Sequence, residues 1–408
     1  MPHELMGRFD VLRHRLTYRV VATALGLLLA LVAVIAQFMG NGGSMVLLAD
    51  ASLFIASAAL LSTGLGVSTS IIEILWGVFA AYLGVQLQPP LDVLGSIGSV
   101  FLLFILGLDM RMEVTLHLAK RYAWSAIMTY GVTFLSVFLI TYHIEGVMID
   151  ALSVALILSA GNAVMTYSLV KALGLDRTRV GNSVVIPTLI MQFASIMAFV
   201  ALIGGVTRTI LVYLLMAVLA LVILPKVAHY VIVSLPTRRE TEAELRIVIA
   251  SLLILALLSQ ELGVSASIIA FILGLALSES VRTAEAVENK LRGITNGFLA
   301  PIFFFVVGLR FVPPSTPVAY LAIPLLTTAL WVSKVELFRK FLALTGGLRI
   351  SRKLAMTTLP NISVAALIAE MGLTSGVLSE VAYAVVITTA LLMSVIVAAV
   401  LRAPPAEP

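Results

Sequence analysis

Gly66-Val67-Ser68-Thr69-Ser70-Ile71-Ile72 returns about 200 residues later as Gly263-Val264-Ser265-Ala266-Ser267-Ile268-Ile269, with six of the seven positions identical. A glycine follows each copy, Gly77 in the first and Gly274 in the second. Further along, Phe104-Ile105-Leu106-Gly107-Leu108-Asp109 answers to Phe305-Val306-Val307-Gly308-Leu309-Arg310, and Asn162 answers to Asn361. Two apolar helices often look alike by chance. Three anchors that keep offsets of 197, 201 and 199 point instead to an internally duplicated chain.

The duplicated chain has no room for a water-soluble core. Of its 408 residues 61% are hydrophobic and 12% charged, and the mean hydropathy is +1.11, so its apolar surface must be covered by lipid. Fourteen apolar segments of roughly 17 to 27 residues can be counted, the helix length that crosses about 30 Å of hydrocarbon. None shows the short alternating pattern of outer-membrane strands. The expected fold is an all-α polytopic membrane protein of about 13–14 transmembrane helices. The run from about Tyr18 to Gly40 is too long for a secretory signal, so it reads as a retained helix behind Arg8, Arg13, Arg15 and Arg19. The chain contains no cysteine and carries a net charge of +5, a balance set by the loops and unrelated to nucleic acid.

The loops decide the threading. Arg111, Lys120 and Arg121, then Arg177 and Arg179, then Arg238, Arg239 and Arg246, then Arg282, Lys290 and Arg292, then Arg349, Arg352 and Lys353 all fall on one side, while the opposite loops hold almost no basic residue apart from Arg208. By the positive-inside rule both termini are expected in the cytoplasm of a multi-pass cell-membrane protein. Residues 1–45 then form an arm and an extra transmembrane helix, 46–207 a first six-helix repeat, 208–243 a linker helix and cytoplasmic loop, and 244–408 a second six-helix repeat. Corresponding helices lie seven apart. Because seven is odd, the repeats are inverted, and crossed discontinuous helices are expected where they meet.

Backbone groups left unpaired in lipid cost several kcal/mol each, so a helix interruption at membrane depth marks a buried or cavity-lining place. The sixth segment contains Ser159-Ala160-Gly161-Asn162, and the thirteenth contains Thr357-Thr358-Leu359-Pro360-Asn361-Ile362-Ser363. These are the expected breaks. They occupy equivalent places in the two copies.

At this level of detail the chain resembles the monovalent cation/proton antiporter superfamily, in its sodium/proton and potassium/proton branch. Glu73-Ile74 with Gly77 resembles that family's "GEIxxG" segment, although Ile72 replaces its first glycine, and Gly107-Leu108-Asp109 resembles the end of "FLxGLE". Ala270 to Leu275 resembles "AFLAGL", and Pro301 to Leu309 resembles "PxFFxxxGL". The resemblance implies a core domain with two unwound helices, a dimerisation domain, hence a homodimer, and a secondary transporter that exchanges sodium or potassium for protons by alternating access at a midplane site. It also implies an aspartate in the helix after the first break. Here Met191 and Gln192 fall at that place, and no Asp or Glu occurs between Asp176 and Glu240.

That departure has a chemical consequence. A carboxylate couples two ions by binding a proton or a cation but not both, whereas an amide does not titrate. The expected ion-binding set is Asn162, Gln192, Gly161, Ser159, Asn361, Ser363 and Met191, with Glu73, Asp109, Arg310 and Lys334 as charged candidates. Glu73 lies about one turn inside a helix, Asp109 and Arg310 read as interfacial charges, and Lys334, Glu336 and Lys340 read as residues snorkelling to the headgroups. Two further functions stay open: proton-uncoupled or sodium-coupled movement of another small solute or anion through the amide centre, and a non-transporting membrane scaffold or sensor. No nucleotide-binding loop, metal cluster or nucleophile constellation occurs in the sequence, so neither an enzyme nor a cofactor is expected.

Overall fold

The computed structural model describes residues 2–39, 44–109, 112–175, 178–204, 245–246, 248–254, 266–282, 285–314 and 317–402. Of the fourteen segments read from sequence, 208–234 lies outside the described residues and 244–262 is described only in part. The other segments are helical over their described residues, apart from the interruptions described below. In order, the helices are α1 Pro2–Met39, α2 Ser44–Leu65, α3 Thr69–Tyr82, α4 Pro89–Asp109, α5 Met112–Glu145, α6 Met148–Ser159, α7 Ala163–Ala172 and α8 Arg179–Gly204. They continue with α9 Ala266–Arg282, α10 Glu285–Ile294, α11 Ala300–Leu309, α12 Pro317–Trp331, α13 Phe338–Gly346, α14 Arg352–Ala355, α15 Ile362–Thr374 and α16 Glu380–Arg402. Three short wound pieces join them: π-helical turns at Thr295–Leu299 and Val332–Leu337, and a 3₁₀ turn at Met356–Thr358. Among the described residues ten helical stretches are long and apolar enough to cross a membrane, and α3 is a shorter apolar helix.

The chain forms two compact units, Met1–Gly98 with Phe298–Phe311, and Ser99–Gly297 with Val312–Pro408. Each draws on both halves of the sequence. In the first unit the repeated heptapeptide makes the turn between α2 and α3: Gly66 takes φ +59, a left-handed conformation open to glycine at little cost. Ser68 then stands as the extended residue before α3. Helix α3 packs on α11 through two glycines. A Cβ on Gly77 would lie 2.1 Å from the Phe305 carbonyl oxygen and 2.8 Å from the Gly308 Cα, and one on Gly308 would lie 2.1 Å from the Ile74 carbonyl oxygen. Backbones meet here, as small residues allow where lipid supplies no hydrophobic drive between helices. Phe54 packs beside this seam with Trp76 at 5.5 Å and Phe305 at 5.9 Å between ring centroids.

The second unit repeats the device with the partners exchanged. A Cβ on Gly274 of α9 would lie 2.1 Å from the Phe104 carbonyl oxygen of α4, and the hydroxyls of Ser99 and Ser267 are hydrogen-bonded at 2.9 Å between the same two helices. Helices α5, α8 and α16 pack against the interrupted pair α6–α7 and α14–α15, and α12 lies behind them on α5 and α16. At one end, Asp150 in the first turn of α6 accepts from the Ser379 amide just before α16, at 2.9 Å. That bond starts α6 and α16 at a common level.

The glycine seam generates the first test. Gly308→Ala must push α3 and α11 apart, and such overpacking costs about 1–3 kcal/mol. The purified protein in detergent should melt several degrees lower. Gly131→Ala on α5, where an added Cβ meets no atom within 4 Å, should leave the melting temperature unchanged or raised, and equal melting of both variants would refute the seam.

Candidate functional site

Both interruptions expected from the sequence are present in the second unit. Helix α6 stops at Ser159, residues 160–162 are non-helical, and α7 begins at Ala163. On the other strand of chain, the 3₁₀ turn ends at Thr358 and α15 begins at Ile362, with Pro360 between them. Gly161 is obligatory. A Cβ there would fall 2.2 Å from the Thr188 carbonyl oxygen of α8. Proline at 187, inside α8, has no N–H to offer this crowded face.

Hydrogen bonds join the two breaks. The Thr166 hydroxyl, in α7, donates to the Thr357 carbonyl at 2.9 Å. The Asn361 amide nitrogen donates to the carbonyls of Ile157 and Ala160, in and just after α6, at 3.3 Å each. So the part after the first break meets the part before the second, and the reverse. The two interrupted helices pass each other in opposite directions.

Each interruption leaves backbone groups that a continuous helix would have used. At the start of α7 the Ala163 N–H donates to Gln192 Oε1 at 2.7 Å, and the Met165 N–H donates to Asn162 Oδ1 at 3.1 Å. The amide oxygens expected to receive an ion are thus committed to capping α7. At the end of α6 the Lys334 ammonium donates to the Leu158 and Ala160 carbonyls at 2.8 Å and 2.7 Å. Such charge-assisted bonds on the negative end of a helix are strong. Thr358 ties the arrangement down, its hydroxyl donating to the Lys334 carbonyl at 3.1 Å.

Lys334 is the main departure from the sequence reading. It was expected to snorkel, yet it is 1% exposed and lies wholly inside the second unit. The π-helical turn Val332–Leu337 carries it, and such turns concentrate at functional places. Its neighbours in sequence behave differently: Glu336 is half-buried and pairs with Arg339 and Arg352 at 3.2 Å and 2.7 Å. Lys340 is exposed.

The other candidates sort themselves by position. Ser159, Gly161, Asn162, Gln192 and Asn361 gather at the crossing and are buried, and Met191 is buried beside Gln192 in α8. Ser363 is half-buried in the first turn of α15. Glu73 is buried in α3 of the first unit. Arg310 ends α11 in that same unit and forms an ion pair with Asp92 in the first turn of α4, a partner the sequence did not suggest. Asp109 closes α4. Among the described residues no group of His, Cys, Asp and Glu could hold a metal ion. Thr166 and Thr188 were missed, because a threonine in an apolar helix carries no local sign of its partner, whereas Thr357 and Thr358 fall within the expected break.

A buried donor stripped of its acceptor costs about 1–3 kcal/mol. Gln192→Leu should therefore lower the melting temperature in detergent by several degrees, whereas Gln192→Glu keeps an acceptor for the Ala163 N–H and should melt close to the parent. If Leu and Glu are equally tolerated, the cap on α7 does not hold the break.

Comparison with known proteins agrees with this architecture. The chain is 25% identical over 238 residues to a protein named as a probable sodium/proton antiporter 3 from Methanocaldococcus jannaschii, a match covering 55% of this chain and 60% of that one. Less than two thirds of that relative's length is therefore spanned. A solved structure of the sodium proton antiporter MjNhaP1 from the same organism superposes with a TM-score of 0.61 at 16% identity, covering 95% of this chain and 99% of that chain. At that identity the likeness speaks for the fold alone. Residues 51–405, which hold both interruptions and both glycine seams, match the sodium/hydrogen exchanger, transmembrane family, and the chain belongs to that family of secondary transporters.

Proposed function

We propose that this protein exchanges a monovalent cation, sodium or potassium, for protons across a cell membrane, and that Lys334 carries the proton in place of the usual aspartate. The observation that carries the reading is the Lys334 ammonium seated on the Leu158 and Ala160 carbonyls. Gln192, Asn162 and Asn361 do not titrate, and Lys334 is the titratable side chain that touches the break. A partly desolvated cation needs the same oxygens. It cannot take them while the ammonium is there, because both carry a positive charge and both require those lone pairs.

Exchange follows from that exclusion. Loss of the Lys334 proton frees the carbonyls, a cation enters, and the centre keeps the same net charge. The reverse happens on the other face. One cation then moves for each proton, with access alternating by movement of one bundle against the other. The opposed passage of the two interrupted helices supports inverted repeats, as does the exchange of partners between the seams of Gly77 with Gly308 and of Gly274 with Phe104. We further read the protein as a homodimer with both termini cytoplasmic. The amide-centred alternative is weakened by the engagement of both amide oxygens on α7.

Proteoliposomes bearing an imposed pH gradient test the mechanism. Sodium or potassium added outside should collapse the gradient in the parent protein. Lys334→Gln, which can donate but not titrate, should slow that collapse at least about tenfold, and Lys334→Arg, which stays charged, should do the same. Exchange by either variant at the parent rate would remove Lys334 from the coupling, and no response of the parent to sodium, potassium or lithium would reject exchange itself.

A further inference from the structure

The crossing holds more hydrogen-bond donors and more positive charge than its own residues can answer. Lys334 has three N–H groups and two partners, so one is left over among the described residues. Ser159 lies in sequence between the two residues whose carbonyls hold Lys334. Its hydroxyl is fully buried and has no hydrogen-bond partner among the described residues. Helix α15 begins without a side-chain cap, because Asn361 turns its amide to Ile157 and Ala160. Lys334 and Asn361 share the Ala160 carbonyl, which brings the ammonium and the start of α15 to one atom.

Acceptors are scarce in the same place. The carbonyls of Ile157, Leu158 and Ala160 already receive these donors, and Gln192 and Asn162 serve α7. No carboxylate lies within ion-pairing distance of Lys334 among the described residues: Glu336 pairs with Arg339 and Arg352, and Glu370 is near the Tyr383 hydroxyl. A buried charge is tolerated only when it is compensated, and the end of one helix supplies about half a charge.

We propose that the crossing binds a small monovalent inorganic anion, of which chloride is the type, as the counter-charge to Lys334. The anion would take the remaining Lys334 N–H, the Ser159 hydroxyl and the positive end of α15. Water could accept those bonds but could not balance the charge. The anion does what a carboxylate at position 192 would do. It keeps the centre neutral when Lys334 is protonated, and again when a cation replaces that proton. The ion is small because Ser159, Asn361, Lys334 and Gln192 are each no more than 2% exposed.

The test uses the full chain in detergent with sodium chloride, sodium bromide or sodium gluconate at one ionic strength. Chloride and bromide should raise the melting temperature by at least about 3 °C over gluconate. Gln192→Glu places a covalent carboxylate at the break and should abolish that difference, and bromide should give an anomalous scattering peak within hydrogen-bonding distance of Lys334 Nζ. Equal melting in all three salts, or a water in place of the bromide peak, overturns the proposal. Exchange assayed in chloride and in gluconate keeps the two ideas apart. Exchange with no halide effect sinks the anion and leaves the antiporter, while a halide shift without exchange does the opposite.

Discussion

A helix broken inside hydrocarbon must have its severed hydrogen bonds answered by protein, and this single constraint organises the second unit. Four half-helix ends meet at the crossing of α6–α7 with α14–α15. The carbonyl end of α6 is served by Lys334 and Asn361, the amide end of α7 by Gln192 and Asn162, and the end of the 3₁₀ turn by Thr166, while the start of α15 carries no side-chain cap. The partners come from the π-helical turn after α12, from α8, from α7 and from the second break itself. Moving any one of these helices therefore leaves a backbone group unsatisfied in a low-dielectric place, where it costs most. The crossing behaves as one object because its bonds are shared in this way.

Much of this was legible in the sequence. Gly161, Pro360 and the paired asparagines are local signals, since small, polar and proline residues clustered in an apolar run weaken a helix there, and both breaks lie at those clusters. The duplicated glycines were legible too, and in a stronger sense than a repeat requires. Gly77, Gly274 and Gly308 are the points at which backbones touch, so the glycines that recur between the copies fall where a side chain has no room.

Lys334 reads as a snorkelling residue only when its place near the end of an apolar segment is weighed above the face it occupies. A regular helix of 3.6 residues per turn assigns each residue to a face by counting from its neighbours. Lys334 itself lies within the π-helical turn Val332–Leu337, whose extra backbone rotates only the residues that follow it. The buried stripe of α12, Ala319, Ala322, Leu326 and Leu330, reaches Lys334 in its next step of four, so the count along the helix already sends Lys334 inward. The Arg310 and Asp92 pair was hidden differently: its members are 218 residues apart, and nothing in either neighbourhood names the other. Contacts between distant segments follow from how the helices are packed, which local pattern does not encode.

The sign of the charge at the crossing now matters more than its shape. A site built on a carboxylate attracts the cation it carries, and the proton is the competitor. A site built on a lysine begins with a resident cation, so an incoming ion is admitted only when the resident gives up its proton. The two designs share the logic of exclusion and differ in their resting charge. Negative character must then come from elsewhere, because the carbonyl end of α6 offers only a partial charge and Gln192 offers none. On the proposed reading, an amide at position 192, where the family resemblance implies a carboxylate, is not a neutral change in an otherwise intact centre. It transfers the task of balancing Lys334 to whatever can reach the donors that surround it.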